Sequence, residues 1–336
     1  MSDVYSASGS RYDRMPYRRS GRSGLLLPAL SLGFWHNFGD NGNPENMRAM
    51  MRTAFDLGIT QFDLANNYGP VYGRAEENAG RILAMDFAPY RDELVITSKA
   101  GYDMWPGPYG DHGSRKYLLA SCDASLRRLG LDYVDIFYHH RPDPDTPLEE
   151  TIEALLQIVR SGKAIYAGIS NYPADRAREA VRIAGEIRLP LVVNQLRYNM
   201  IDRKIEEDGT IRACAEGGLG IAVFSPLAQG LLTGKYLDGI PAGSRMARDG
   251  RYLHRDALTD KKAAAIRRLD HIAQERGQKL TDMALAWLLG KPEVTTVIIG
   301  ASRPEQITEN ARCLENLRFS DEELKEIDAA AAFLKD

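Results

Sequence analysis

Short apolar runs alternate along the chain with longer segments in which apolar residues recur with helical spacing. A brief apolar run between turn residues is typical of a buried strand, whereas a spacing of about 3.6 residues indicates a helix packed on one face. The runs predict eight strands, at residues 29–32, 61–63, 94–99, 133–139, 164–170, 191–195, 220–224 and 296–299. The periodic segments predict helices at residues 74–85, 114–129, 148–161, 174–187, 205–217, 260–276, 280–289 and 304–314, with others beginning after Asn43 and Ser320.

The helix that begins after Asn43 has clear signals at both ends. Asn43 can cap its free N–H groups, and Pro44 suits the first helical turn. Gly58 can end it in the left-handed conformation. Ahead of this helix, Gly24 separates two short runs within residues 17–27, which predicts a hairpin, and residues 1–16 are predicted to be a loose leader.

Strands that are mostly followed by helices predict an α/β fold, a (β/α)8 TIM barrel. We expect one domain over residues 17–336, with the hairpin before the barrel and extra helices at its C-terminal end. The competing architecture, a doubly wound open sheet, normally carries G-x-G-x-x-G after its first strand, and this chain has neither that fingerprint nor a P-loop. Residues 237–255 lack periodicity and predict a long loop with a functional role.

Composition narrows the function classes. The 336 residues are 44% hydrophobic and 26% charged with a net charge of −3, the balance of a globular protein without a basic surface for nucleic acid or anionic membranes. No apolar run is long enough to span a bilayer, and the polar start of the chain lacks the apolar core of a signal peptide. Cys122, Cys214 and Cys313 lie singly in helical patterns, which favours buried thiols and a reducing cytoplasm over disulfides.

Four polar residues lie at or just beyond the ends of consecutive predicted strands. Asp63 ends the second strand, Tyr68 follows it, Lys99 ends the third strand, and His140 follows the fourth. The carboxyl ends of barrel strands meet at one face, where active sites lie. We therefore expect an acid, a phenol, an ammonium and an imidazole to meet in one small volume.

These four groups suit proton transfer to or from a substrate oxygen. A nearby ammonium lowers the pKa of a phenol, so Lys99 is expected to make Tyr68 a better acid, and Asp63 is the counter-ion that keeps Lys99 charged. His140 can donate to a carbonyl oxygen and hold it beside Tyr68. Strand parity favours His140 over His139 for this role, and the spacing of the histidines predicts no metal site.

With these residues in place, the sequence resembles the aldo-keto reductases, and within them the branch related to potassium-channel β subunits and bacterial glyceraldehyde 3-phosphate reductases. The resemblance runs from Tyr17 to about Ala330. Its motifs, in order, are LGFWHNFG, GITQFDLANNYG, VITSKAGYDMWPGPYG, DYVDIFYHHRPD, GKAIYAGISN, FSPLAQGLLTGKY and IIGASRPEQITEN.

The resemblance implies NADPH-dependent reduction of small aldehydes or ketones, phosphorylated and α-oxo aldehydes included, by a homo-oligomer, tetramer or octamer. It implies a catalytic tetrad of Asp63, Tyr68, Lys99 and His140, with Tyr68 as the general acid and hydride from the nicotinamide. The implied cofactor contacts are Phe34, Trp35, Asp63, Ser170, Asn171, Gln195, Phe224, Ser225, Pro226, Leu227, Gly230, Lys235, Arg245, Gly300, Ser302, Gln306, Glu309 and Asn310. The implied substrate contacts are Trp35, Tyr68, Tyr102, Trp105 and His140.

Two features bear on cofactor and substrate choice. Other branches carry a lysine and an arginine for the 2′-phosphate where this chain has Gly300 and Gln306. Arg245, Ser302 and Arg303 could serve instead, which favours NADPH over NADH. For a phosphate on the substrate, the nearby candidates are Arg115, Arg141 and Arg203.

Two other functions compete with the reductase. Channel β subunits use bound cofactor partly as a sensor, so a binding or regulatory protein is the second hypothesis; those relatives have Asn where this chain has His140. A barrel lyase that uses Lys99 as a Schiff-base nucleophile is the third, but it needs an uncharged lysine, and a paired Asp63 opposes that.

Overall fold

The computed structural model describes residues 4–237 and 259–334, and these form a closed barrel of eight parallel strands. An antiparallel hairpin, β1 (Tyr17–Arg19) and β2 (Leu26–Pro28), precedes the barrel. The barrel strands pair in chain order and the last closes onto the first, which confirms the predicted (β/α)8 fold and its hairpin. They are β3 (Leu30–Gly33), β4 (Gln61–Asp63), β5 (Val95–Ala100), β6 (Val134–His139), β7 (Ala164–Ser170), β8 (Leu191–Arg197), β9 (Gly220–Phe224) and β10 (Val294–Ile299).

Helices surround the barrel, and most lie where the periodicity predicts them. They are α1 (Pro44–Asp56), α2 (Arg74–Ile82), α3 (Arg115–Leu129), α4 (Leu148–Arg160), α5 (Ala174–Ile187), α6 (Lys204–Glu207), α7 (Thr210–Gly217), α8 (Asp260–Glu275), α9 (Leu280–Leu289), α10 (Pro304–Ala311) and α11 (Asp321–Ala331). The prediction of a single helix at 205–217 is wrong. This segment forms two helices, α6 and α7, because Gly209 between them adopts a left-handed φ of 78°. Among the described helices, none is long and apolar enough to cross a membrane.

Helix α1 forms as its sequence predicts. The Asn43 side chain accepts hydrogen bonds from the N–H groups of Glu45 and Asn46, and Pro44 occupies the first turn. Its buried stripe packs into the layer between helices and strands and consists of Met47, Met50, Met51, Ala54 and Phe55. Gly58 follows with a φ of 80°, and the chain turns directly into the strand that carries Asp63.

The loose leader predicted over residues 1–16 does not hold for the part that the structure describes. The Tyr5 hydroxyl donates to Asp56 at 2.7 Å, and Arg11 pairs with Glu93 at 2.6 Å. Met15 is buried in the main core. Aromatic, cationic and apolar side chains thus bind this segment to α1 and the turn that precedes β5, contacts that a polar composition does not reveal.

The strand register brings the predicted site residues to one end of the barrel. Asp63 on β4 lies beside Thr97 on β5, Lys99 on β5 lies beside Tyr138 on β6, and Ser170 on β7 lies beside Gln195 on β8. All belong to the carboxyl-end halves of their strands, the end at which barrel active sites are built. The predicted loop at residues 237–255 lies, apart from Leu237, outside the described residues.

Candidate active site

A buried ion pair stands at the centre of the predicted site. The Lys99 ammonium donates to Asp63 Oδ2 at 2.7 Å and to the carbonyl oxygen of Leu64 at 2.7 Å. Lys99 is 0% and Asp63 2% exposed, so the pair is shielded from water. Burial lowers the pKa of Lys99, while the charges of Asp63 and, at longer range, Glu76 oppose that change. The pair can persist only because the two charges compensate each other at close range.

The second carboxylate oxygen of Asp63 is also fully engaged. Thr97 Oγ1 and Gln195 Nε2 each donate to Asp63 Oδ1 at 2.9 Å. Three donors from two strands, β5 and β8, therefore fix the carboxylate. The sequence reasoning missed Thr97, although its position two residues before Lys99 places both side chains on the same face of β5.

Tyr68 lies against this pair. The Lys99 ammonium is 4.9 Å from the centroid of the Tyr68 ring, and the ring meets that of His140 edge-on, with 5.8 Å between centroids. Burial raises the pKa of Tyr68 well above its usual range, and the charge of Asp63 adds to the rise. The expectation that Lys99 leaves Tyr68 with a lowered pKa is therefore wrong: burial, together with the charge of Asp63, outweighs the ammonium. Tyr68 holds its proton at neutral pH.

His140 completes the group as a neutral imidazole. Burial lowers its pKa well below the usual range, and the positive charges of Lys99 and Arg141 add to the effect. Its Nδ1 is buried and has no hydrogen-bond partner within the described residues, and its ring lies perpendicular to that of Tyr102 with 4.7 Å between centroids. A neutral imidazole carries one N–H donor, which is what a carbonyl oxygen accepts.

His139 faces away from this group. Its Nδ1 shares a hydrogen bond of 2.7 Å with the Tyr172 hydroxyl, and a Cβ added at Gly113 would lie 2.7 Å from its Nε2. It is 0% exposed, and burial lowers its pKa to about 4. The two adjacent histidines thus lie on opposite faces of the chain, as strand parity predicts, and His139 is part of the packing between strand and helices.

Acid conditions should therefore destabilise the fold through His139. Its imidazole stays neutral in the folded chain down to pH about 4, whereas in the unfolded chain it takes up a proton near pH 6.5. The unfolded state binds more protons between these values, so stability is full above pH 6.5 and falls toward pH 4 by up to about 3 kcal/mol. Denaturant unfolding across this window measures the slope. His139→Gln should reduce it, and an unchanged slope would show that His139 is charged in the fold.

Ser170, Asn171 and Gln195 lie together beside the ion pair. Asn171 adopts a φ of 60°, and its Nδ2 donates to the His140 carbonyl oxygen and to Ser170 Oγ, both at 3.1 Å. Gln195 occupies the neighbouring strand and bonds to Asp63 as described above. A hydroxyl and two amides so placed form a donor and acceptor set that fits a primary carboxamide, the polar group of a nicotinamide.

The loop after β9 adopts a tight, unusual backbone. Ser225, Gln229 and Gly230 have φ values of 53°, 59° and 101°, and a Cβ at Gly230 would lie 3.0 Å from the Lys235 ammonium. Glycine thus leaves space for a cation directly over the loop, an arrangement that suits a phosphate. The predicted neighbours differ in exposure: Phe224 packs against the barrel interior, Pro226 is buried, and Leu227 is half-buried against the core.

The start of α10 lies at the far end of this face. The Ser302 N–H and hydroxyl donate to Gln306 Oε1 at 2.7 and 3.1 Å, so Gln306 closes the first turn. Gly300, Ser302 and Arg303 are exposed, Glu309 is half-buried and Asn310 is buried. Arg245, also predicted here, lies outside the described residues. An exposed helix start with polar side chains suits an anionic group.

The structure treats differently the two aromatic residues, Phe34 and Trp35, that the resemblance implies as cofactor contacts. Trp35 is partly exposed, as a residue that contacts a bound cofactor must be. Phe34 is 0% exposed, with its ring stacked 3.8 Å from that of Phe38 and 5.6 Å from that of Phe62. The assignment of Phe34 to the cofactor site is wrong, because its side chain belongs to the helix-facing core with Leu30 and Leu32.

Aromatic residues after β5 border the site on the substrate side. The rings of Tyr102 and His140 pack perpendicular to each other, as described above. Trp105 is 38% exposed and packs against Tyr117 with 5.3 Å between ring centroids. Tyr102 therefore reaches the group directly, whereas Trp105 lies farther out on the rim.

Three arginines were predicted as candidates to bind a substrate phosphate. Of these, only Arg141 lies beside the four predicted catalytic residues. Its Nε donates to the Gly101 carbonyl oxygen at 2.7 Å, one terminal nitrogen contacts both oxygens of Asp111 at 2.8 Å, and its guanidinium lies over the Tyr102 ring. Arg115 instead pairs with Glu153 at 2.6 Å, and Arg203 is buried against Trp287 and pairs with Asp328. Helix-packing partners hold both of these side chains away from the site.

Comparisons with known proteins agree with the resemblance to the aldo-keto reductases that the sequence motifs indicate. The sequence model described as "Aldo/keto reductase family" matches residues 29–332. The chain is 56% identical to the L-glyceraldehyde 3-phosphate reductase of Escherichia coli (strain K12), over 97% of this chain and 95% of that protein. It is 37% identical to an Arabidopsis thaliana protein named for the voltage-gated potassium channel subunit beta, over 90% of this chain and 92% of that protein.

Proposed function

This chain belongs to the aldo/keto reductase family, and on that premise we propose that it reduces small aldehydes and ketones to alcohols with NADPH. Members of this family are oxidoreductases and generally use NADP(H). One observation carries the proposal. A protonated phenol, Tyr68, lies beside the buried Asp63–Lys99 pair and the neutral His140, as a site that protonates a carbonyl oxygen requires.

Each group has a distinct task in the proposed reaction. His140 donates its N–H to the substrate carbonyl oxygen and holds it toward Tyr68. A nicotinamide held there would supply the hydride to the carbonyl carbon. Tyr68 gives its proton to the oxygen as negative charge develops there, and the Lys99 ammonium stabilises the phenolate that remains. Asp63, held by Thr97 and Gln195, keeps Lys99 charged and in place.

The residues present fit a nicotinamide dinucleotide. Ser170, Asn171 and Gln195 would hold the carboxamide. Lys235 and the loop at Ser225–Gly230 would hold the pyrophosphate, and the space left by glycine at 230 supports this assignment. The exposed start of α10, with Ser302 and Arg303, would take the adenosine end and its 2′-phosphate.

We propose short phosphorylated or α-oxo aldehydes, similar to glyceraldehyde 3-phosphate and methylglyoxal, as substrates. The similarity to the Escherichia coli reductase supports the first of these. Oxidation of NADPH by the purified protein tests the proposal, with both aldehydes, an uncharged aldehyde of similar size, and NADH in place of NADPH. Turnover with NADPH and the short aldehydes is expected, and no turnover of any aldehyde with either cofactor would reject the reductase assignment.

Lys235→Met should weaken NADPH binding by about tenfold or more, since a charge-assisted hydrogen bond to phosphate contributes about 1.5–3 kcal/mol. The quenching of tryptophan fluorescence by NADPH measures this change. Lys325→Met, which removes an exposed lysine from α11, is the matched control and should bind normally. Equal affinity in both variants would place the pyrophosphate elsewhere.

A cofactor-sensing subunit is the second candidate, and the similarity to proteins named for potassium channel β subunits favours it. Such a protein would bind NADPH tightly but turn over slowly. Because His140 is present, efficient turnover is the expected result. A homo-oligomer, tetramer or octamer, in the cytoplasm remains our expectation for either candidate, and sedimentation of the purified protein tests its association.

The lyase alternative predicts a covalent bond between Lys99 and the substrate. Lys99 would have to be uncharged to attack a carbonyl, whereas its bonds to Asp63 and to the Leu64 carbonyl favour the ammonium. Borohydride treatment in the presence of an aldehyde should therefore leave Lys99 unmodified. A covalent adduct on Lys99, detected by mass spectrometry of peptides, would support the lyase.

A further inference from the structure

A second tyrosine, Tyr138, lies beside the ion pair but has no part in the proposed proton transfer. It is 0% exposed, inside the barrel, and packs with Ile136, Val193 and Ala222. Its buried hydroxyl lies near the Gln195 side chain, which acts to lower the pKa of the phenol, but no hydrogen bond of good geometry to this hydroxyl is found within the described residues. The aromatic ring, rather than the hydroxyl, is the part of this side chain that lies over the Lys99 ammonium.

The ring of Tyr138 faces the Lys99 ammonium. The two residues are direct neighbours in the register of β5 and β6, and the ammonium is 5.6 Å from the ring centroid. Tyr68 lies against the same ammonium, at 4.9 Å. The ammonium has three N–H groups, and its hydrogen bonds to Asp63 and Leu64 use two of them. The rings of Tyr68 and Tyr138 thus lie close to an ammonium that has one N–H group left after these two hydrogen bonds.

The neighbouring strand leaves room for this ring. Gly168 on β7 is in register with Tyr138, and a Cβ there would lie 2.4 Å from Tyr138 Cδ1. Any side chain at 168 would therefore displace the ring. The register of β7 with β8 shifts between Ala167 and Gly168, but Gly168 has no left-handed φ, so close approach of the ring explains the glycine.

We propose that the face of the Tyr138 ring is a positioning element that keeps Lys99 charged inside the barrel. A desolvated ammonium is attracted to an aromatic face because the ring carries negative charge density there. The other groups that act on Lys99 are Asp63 from β4, Tyr68 and His140 from the loops, and Glu76 from α2. Asp63 on β4 is the stronger partner, and Tyr138 adds to it from β6, on the other side of β5. The catalytic consequence rests on the proposed function, in which Lys99 stabilises the Tyr68 phenolate.

Progressive fluorination of the ring tests this directly, because fluorine removes the negative face while the shape is nearly unchanged. Phenylalanine and its mono-, di- and trifluorinated forms are incorporated at position 138. The charge on Lys99 is followed by the ¹³C resonance of its Cε in lysine-labelled protein without cofactor, assigned by its loss in Lys99→Met. Phe137, on the same strand but packed in the helix-facing core, is the matched control for the same fluorinated residues.

Tyr138→Phe should leave the titration midpoint of Lys99 nearly unchanged, and the trifluorinated ring should lower it by about one pH unit. Fluorination at 137 should not move it. Equal midpoints across the series at 138, or a shift already complete in Tyr138→Phe, would overturn the proposal, since the first excludes the ring face and the second assigns the effect to the hydroxyl. This measurement needs no turnover. Absence of aldehyde reduction in the native protein would reject the reductase assignment separately.

Discussion

Tyr68→Phe should lower the rate of aldehyde reduction by about 10²–10⁴-fold while NADPH binds with nearly native affinity. The substitution removes only the hydroxyl, which is the proton donor in the proposed reaction. The ring remains against Lys99 and His140, so the packing described by the 4.9 Å and 5.8 Å centroid distances is retained. Steady-state rates together with a fluorescence titration of NADPH separate the two effects.

Tyr102→Phe is the matched control for this substitution. Its ring also meets His140, at 4.7 Å, but its hydroxyl has no proton-transfer role in the proposal. We expect kcat for this variant within a few-fold of the native value. If Tyr68→Phe reduced aldehydes at the rate of this control, Tyr68 would not be the proton donor.

Asp63→Ala should lower the free energy of unfolding by about 3–5 kcal/mol, the usual cost of removing one partner from a buried ion pair. Lys99 would keep its place in the barrel interior with the Leu64 carbonyl as its remaining hydrogen-bond acceptor. Thr97 and Gln195 would also lose the acceptor that they share. Chemical denaturation, with the slope compared to confirm a two-state transition, measures the loss.

A double-mutant cycle isolates the pair from its surroundings. Lys99→Met replaces the charge with an apolar side chain of similar length, and the double variant Asp63→Ala with Lys99→Met removes both charges. We expect the double variant to be more stable than Asp63→Ala alone, because no uncompensated ammonium remains. If Asp63→Ala lowered the free energy of unfolding by less than about 1 kcal/mol, the pair would behave like an exposed ion pair, which would contradict its burial.

The strand order and the meeting of four distant residues could be predicted because each depends on local signals. Strands followed by helices dictate a common direction, and chain direction alone brings the ends of β4, β5 and β6 together. Asp63, Lys99 and His140 needed only to be at strand ends. The choice of His140 over His139 followed from alternation of side chains along a strand, and His139 is indeed packed away from the group.

Features that depend on packing between distant segments could not be predicted. The sequence places Phe34 beside Trp35 in a motif, but stacking on Phe38 turns it into the core. The raised pKa of Tyr68 reflects burial and Asp63 rather than the lysine. The contacts of Tyr5 and Arg11 and the hydrogen bond of Thr97 likewise depend on the folded structure. Each joins residues that are distant in sequence and share no pattern.

The central claim is that hydride and proton meet at one carbonyl beside Tyr68, and isotope transfer tests it most directly. The native protein is incubated with methylglyoxal or glyceraldehyde 3-phosphate and with NADPH deuterated at the transferable position of the nicotinamide. The product alcohol should carry one deuterium at the former carbonyl carbon, detected by mass spectrometry, in amounts equal to the NADPH consumed. Consumption of NADPH without deuterium in the alcohol, or no alcohol at all, would contradict the account.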